Sequence, residues 1–232
     1  MPFFYFDPAY MLAIAPAMLL AMWAQWRVHA TFAAASQEPA PLSGAAAARH
    51  ILDSAGATEV AVEQVPGTLT DHYDPRTKVL RLSDAVYSSR SLAAVGIAAH
   101  EAGHALQDHT GYPLMSLRNA AVGIANIGSG FGLTVFMIGL MFASRPMAWV
   151  GIGLFAATVF FQLVNLPVEI DASNRAKRQL VALGIVPGAD MPHVNKVLNS
   201  AAWTYVAATL QSALTLIYYA SYLTGGDRDS ES

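Results

Sequence analysis

Ala98-Ala99-His100-Glu101-Ala102-Gly103-His104-Ala105-Leu106-Gln107 carries the pattern H-E-x-x-H within a chain of 232 residues, and the rest of the chain is best read outward from it. Helical residues four apart share a face, so His100 and His104 can aim both imidazoles at one zinc ion while Glu101 reaches the water to be activated. Two histidines leave the set one short, because catalytic zinc sites usually have three protein ligands and an open fourth position. The chain contains no cysteine, so the missing ligand must be His, Asp or Glu, and disulfides and thiolate chemistry are excluded.

Composition sets the environment. Hydrophobic residues make up 54% of the chain and charged residues only 12%, too apolar for an ordinary soluble domain. A net charge of −3 offers no basic surface for nucleic acid. Four stretches are long and uncharged enough to cross a hydrocarbon core of roughly 30 Å as helices: 8–26, 120–143, 147–166 and 201–223. No Lys or Arg precedes the first stretch and Arg27 follows it, which favours an uncleaved anchor over a signal peptide, although Ala33-Ala34-Ala35 offers a small-residue run of the cleavage type. Ser144-Arg145-Pro146 is so short a connection that the second and third stretches form an antiparallel hairpin. Segments 27–119 and 167–200 then emerge on one side of the membrane, leaving the tail, 224–232, on the other. Arg27, Arg118, Arg175, Lys177, Arg178 and Lys196 lie near the membrane ends on the first side, against Arg145 and Arg228 on the second. The excess of positive charge makes the two large segments cytoplasmic and the termini external.

Within 27–119, Glu38-Pro39-Ala40-Pro41 reads as a linker into a helix capped by Ser43 and closed at Gly56. Two or three short strands are expected between Val60 and Leu82, with turns at Pro66-Gly67 and Asp74-Pro75-Arg76. Ser91 suits the N-cap of the H-E-x-x-H helix, expected over about 91–108.

His109 is the nearest further histidine, but the extended pattern H-E-x-x-H-x-x-G-x-x-H fails, with Gln107 where Gly is required and Thr110 where His is required. His72 and His193 are lone histidines, ordinarily solvated or hydrogen-bonded rather than ligating. Glu169 stands just beyond the third apolar stretch, which the hairpin puts on the same side as His100. A His, His, Glu set with an open position is one of the known arrangements of catalytic zinc; the competing role for Glu169 is an ion pair with a loop cation such as Arg175.

The blocks Leu69-Thr70-Asp71-His72-Tyr73-Asp74-Pro75, Ala99 to Gln107, and Asn165-Leu166-Pro167-Val168-Glu169-Ile170-Asp171-Ala172-Ser173, with the order of apolar stretches, resemble the YugP-type family of membrane zinc metallopeptidases. Its layout is shared with the HtpX and prenyl-protein protease group. The resemblance spans roughly 44–223 and implies one zinc ion held by His100, His104 and Glu169, with Glu101 as general base, in a bacterial cytoplasmic membrane. The HtpX-type pattern has Asp four residues after the ligand Glu, supporting a ligand His. Ser173 occupies that position here, leaving Asp171 as the candidate substitute.

The expected fold is therefore a mainly α membrane protein of about four transmembrane helices, with a cytoplasmic α+β zincin-like catalytic region carrying a small sheet. The expected chemistry is peptide hydrolysis on a polypeptide or membrane-protein substrate near the bilayer. His72, Tyr73, His193, Tyr205 and Arg175 are the available oxyanion donors, and the strand Lys78 to Leu82 could offer an edge to substrate. Gly123, Gly128, Gly130, Gly132 and Gly139 form a face suited to close helix packing, including packing between copies. Asn126, Gln162, Asn165 and Gln211 are placed for interhelical bonds. Two other readings compete. A site-2-type intramembrane protease is disfavoured because Leu92 to Ala99 is too short to carry the zinc helix across a bilayer. A non-enzymatic scaffold leaves the placement of Glu169 and the charge asymmetry unexplained.

Overall fold

The computed structural model describes residues 7–225. Its elements, in chain order, are α1 (Pro8–Ser36), α2 (Gly44–Ser54), β1 (Ala61–Val65), β2 (His72–Asp74), β3 (Val79–Ser83), α3 (Asp84–Tyr87), α4 (Leu92–His109), α5 (Pro113–Met141), α6 (Arg145–Ala182) and α7 (Met191–Gly225). Of the acidic tail expected at 224–232, residues 226–232 lie outside the described part.

Three helices among the described residues, α1, α5 and α6, are long and apolar enough to cross a membrane. The stretch 201–223 is helical throughout, inside α7, but does not join them. Thr204, Thr209, Gln211, Ser212, Thr215 and Ser221 dilute its apolar character.

By its internal contacts the chain divides into two compact units, the first comprising the described parts of Met1–Trp23, Leu117–Leu166 and Thr204–Ser232, and the second Ala24–Ser116 with Pro167–Trp203. In the first unit large apolar side chains point outward: Leu12, Leu19, Ile124, Phe131, Val150 and Ile217 are all exposed, the reverse of a water-soluble bundle. Glycines bring α5 and α6 together. A Cβ at Gly128 would stand 2.3 Å from Leu154 O, and one at Gly151 would stand 2.3 Å from Phe136 N. Gly132 and Gly139 are equally committed to α6, so this small-residue face is used within the chain; Gly123 and Gly130 have no such neighbour. Asn165 makes the expected interhelical bond, accepting from Arg118 Nε at 2.9 Å. Arg145 donates to Leu223 O at 2.8 Å, neutralising a carbonyl at the end of α7.

The second unit holds a mixed three-stranded sheet in the order β1-β3-β2, with β1 parallel and β2 antiparallel to β3. The strand Lys78 to Leu82, which could either offer an edge to substrate or only complete the sheet, is internal and completes it, and the sheet's free edges belong to β1 and β2. Both expected caps form: Ser43 Oγ accepts from Ala46 N and Ser91 Oγ from Ala94 N, each at 3.3 Å. Gly56 closes α2 with φ of 77°, the left-handed value that favours glycine. The supposed linker at 38–41 is pinned along the start of α4, with Leu92 N donating to Glu38 O and Ala40 N to Arg90 O, both at 2.9 Å.

Helix α6 runs on through Pro167 to Ala182, so the polar segment expected from 167 starts as a continuation of the same helix. Pro167 removes one intrahelical hydrogen bond. Beyond it, Val168, Ala172, Ala176 and Leu180 recur every fourth residue, and all are buried in the core of the second unit. That apolar stripe holds this helical segment in place, and it fixes the face from which Glu169 and Ser173, also four apart, project.

Candidate metal centre

Helix α4 is the centre of the second unit: Ala93, Ala94, Val95, Ala98, Ala99, Ala102 and Ala105 are all buried. Its run of small residues allows the α6 backbone to approach closely at Gly103, where a Cβ would stand 2.5 Å from Ala172 O. The approach brings together three side chains. His100 Nε2 lies 3.3 Å and His104 Nε2 3.4 Å from the same atom, Glu169 Oε2. These residues form the metal-capable group found among the described residues, with ligand atoms all within 4.8 Å of one another.

The donor set fits zinc in type, and both imidazole–carboxylate separations fit it in distance. Two atoms each about 2.0–2.1 Å from a tetrahedral ion stand about 3.3 Å apart, close to both imidazole–carboxylate separations. Burial supports the same reading, since Glu169 is only 4% exposed, and a buried carboxylate needs compensating charge or donors. Burial works to raise the Glu169 pKa, but hydrogen bonding and charge from His100 and His104 outweigh it and hold the carboxylate below its ordinary range.

Glu101, one residue after His100, is buried. Burial pushes its carboxyl up to about 7, with the His100 charge opposing and the Glu169 charge assisting. The charges of Asp71 and His72 also act on it, which brings β2 and the residue before it into the surroundings of the site.

A layer of hydrogen bonds stands behind the group. His100 Nδ1 lies 3.1 Å from Ser173 Oγ, and His104 Nδ1 lies 2.9 Å from Gln107 Oε1. Gln107 Nε2 donates to Val168 O at 2.8 Å and to Asp171 Oδ2 at 2.9 Å. Arg175 Nε donates to the same Asp171 oxygen at 2.6 Å, and its guanidinium sits over the Tyr112 ring. Ser173 therefore contacts a histidine directly, and Asp171 acts one step further out, through Gln107. Gln107 had no assigned role in the sequence, where it registered only as a failed glycine. Its spacing of three residues from His104 was the available signal.

The remaining candidates are placed as follows. His109 Nδ1 lies 3.2 Å from Glu59 Oε1 at the end of α4, away from the group of three. Tyr73 donates its hydroxyl to Asp108 at 2.7 Å, sharing that carboxylate with Lys78, and both burial and this bond raise its pKa, so it is committed to packing β2 on α4. Arg175 is committed to Asp171, and its NH1 donates to Thr110 Oγ1 at 3.3 Å. His193 is half-buried in the first turn of α7, next to Val194, the side chain nearest Gly96 of α4. His72 is exposed at the start of β2, with Nδ1 2.8 Å from Thr70 O. Tyr205 belongs to the first unit.

Residues 10–224 match the model of a family described as "Putative neutral zinc metallopeptidase". The chain is 44% identical over 216 residues to "Putative membrane protease YugP" of Bacillus subtilis (strain 168), covering 92% of this chain and 96% of that relative. No solved structure matches. A match across nearly the whole chain, together with a His, His, Glu group in which two helices converge, means that this chain belongs to the neutral zinc metallopeptidase family and is a membrane zinc metallopeptidase.

Proposed function

We propose that the chain is a zinc-dependent endopeptidase of a bacterial cytoplasmic membrane, with its site at the cytoplasmic surface and its substrates among membrane proteins or polypeptides close to the bilayer. The observation that carries this reading is the meeting of His100 Nε2 and His104 Nε2 at Glu169 Oε2, with a buried Glu101 on the same helix. The charge asymmetry around four crossings, α7 supplying the fourth, supports external termini and a cytoplasmic site.

In this mechanism His100, His104 and Glu169 would hold one zinc ion, which would supply a water of lowered pKa and polarisation of the scissile carbonyl. Glu101 accepts the proton of the attacking water at its carboxylate and returns it to the leaving amide nitrogen, so that the proton balance closes within one side chain. The enclosed position of Glu101 keeps bulk water from competing for that proton. Negative charge developing on the carbonyl oxygen calls for a donor beyond the metal. We take His72 as the candidate for that role: Tyr73 and Arg175 are bound elsewhere, His193 is half-buried in α7, and His72 is exposed at the start of β2, the strand that packs on α4 through Tyr73.

The test is metal analysis of the purified protein beside a Glu101→Gln variant, with cleavage of an unstructured reporter polypeptide as readout. Retained zinc with cleavage lost is the expected result. Equal cleavage by the two proteins would remove Glu101 as the base, and absence of zinc from both would overturn the enzyme reading.

A further inference from the structure

The hydrogen bonds around Gln107 determine more than a support for the site. A carboxamide can be turned either way about its last bond, and its two ends have opposite roles. In Gln107 the choice is made by its surroundings. Val168 O is a backbone carbonyl and can only accept, and the Asp171 carboxylate, already paired with Arg175, also accepts. The end facing these two groups must therefore be the NH2, which leaves Oε1 directed at His104 Nδ1, 2.9 Å away. An amide oxygen can only accept, so Nδ1 must carry the hydrogen.

We infer that Gln107 is a positioning residue that keeps a hydrogen on Nδ1 of His104 and so reserves Nε2, the nitrogen facing Glu169, as the atom that binds a metal. The inference rests on the proposed zinc role of His104, and it assigns a function to a fully buried polar side chain that would otherwise be costly in the core.

His100 differs in kind. Its Nδ1 faces Ser173 Oγ at 3.1 Å, and a hydroxyl can donate or accept, so Ser173 leaves the His100 tautomer open. Gln107 also ties the histidine helix to the ligand helix, because its oxygen serves α4 and its nitrogen serves Val168 O and Asp171 on α6. Arg175 completes the chain by holding Asp171 as the carboxylate acceptor.

The experiment is nitrogen-15 NMR of the zinc-free full-length protein, labelled at histidine and held in detergent or nanodiscs, with His104 assigned by difference from His104→Gln. In its neutral form, reached by raising the pH, His104 is expected to show a protonated Nδ1 and an unprotonated Nε2 in the unsubstituted protein. Gln107→Met, close in shape, is expected to lose that signature and to bind zinc about 10–100-fold more weakly in chelator competition. Ser173→Ala is expected to keep the His104 signature. A neutral His104 carrying its hydrogen on Nε2 rather than Nδ1 in the unsubstituted protein would overturn the inference without any variant having to fold, and so would an unchanged His104 signature in Gln107→Met. Failure of the zinc reading is a separate outcome, seen as no zinc binding by a protein whose His104 tautomer is nonetheless as stated.

Discussion

Gly103 and Ala172 define how closely the helices carrying His100, His104 and Glu169 approach: a Cβ at residue 103 would stand 2.5 Å from the Ala172 carbonyl oxygen, and the helix backbone there cannot swing aside as a flexible side chain would. Gly103→Ala must therefore push α4 and α6 apart at the point where His100 and His104 meet Glu169. The expected cost is about 1–3 kcal/mol in stability, of the size seen for overpacked cores, with zinc affinity lowered in the same variant. Thermal unfolding and chelator competition measure the two effects, and a variant with unchanged zinc affinity would show that the close approach does not control the site.

Glu169 supplies the carboxylate onto which both imidazoles converge. Glu169→Ala is expected to weaken zinc binding by more than about 100-fold, equivalent to about 2.7 kcal/mol, because two histidines alone make an incomplete set. Unchanged affinity on titration with zinc would remove it from the site.

His72 is the candidate oxyanion donor, exposed on β2 rather than committed to the core. His72→Ala is expected to lower kcat by about 100-fold, as loss of one such donor does, while zinc content and the melting temperature stay unchanged. A kcat within a fewfold of the unsubstituted protein would assign the role elsewhere.

Asp108 accepts from both Tyr73 and Lys78 and so fastens β2 and the start of β3 to the end of α4. Asp108→Ala leaves the half-buried Tyr73 hydroxyl without that partner, for an expected loss of roughly 1–3 kcal/mol in denaturant unfolding. Zinc affinity should be nearly unaffected, since neither residue contacts the group of three. A fall in affinity as large as that of Glu169→Ala would mean that the sheet, too, shapes the metal centre.

The absence of native cysteine makes the topology directly testable. A membrane-impermeant maleimide applied to intact cells should label Ala143→Cys, in the exposed connection between α5 and α6, and should leave exposed Ser88→Cys unlabelled until the membrane is opened. The opposite pattern would invert the proposed orientation.

Local features were legible from residues alone because they are decided within a turn or two of chain. Ser43 and Ser91 cap the helices they precede, Gly56 takes the left-handed value that ends α2, and the four-residue spacing of His100 and His104 puts them on one face. The apolar runs of α1, α5 and α6 follow from composition in the same way. Other features depend on contacts between distant residues and emerged only in the tertiary structure. The central place of β3 follows from its parallel pairing with β1, which no local pattern encodes. Continuation of α6 past Pro167 depends on a buried stripe that only the core of the second unit supplies. For Glu169, sequence could offer a position along the chain and a carboxylate of suitable chemistry. Its distance from the two imidazoles, and the turning of the Gln107 amide that prepares His104, were decided by two helices meeting at a glycine, because the geometry of a metal site is set by packing across the core.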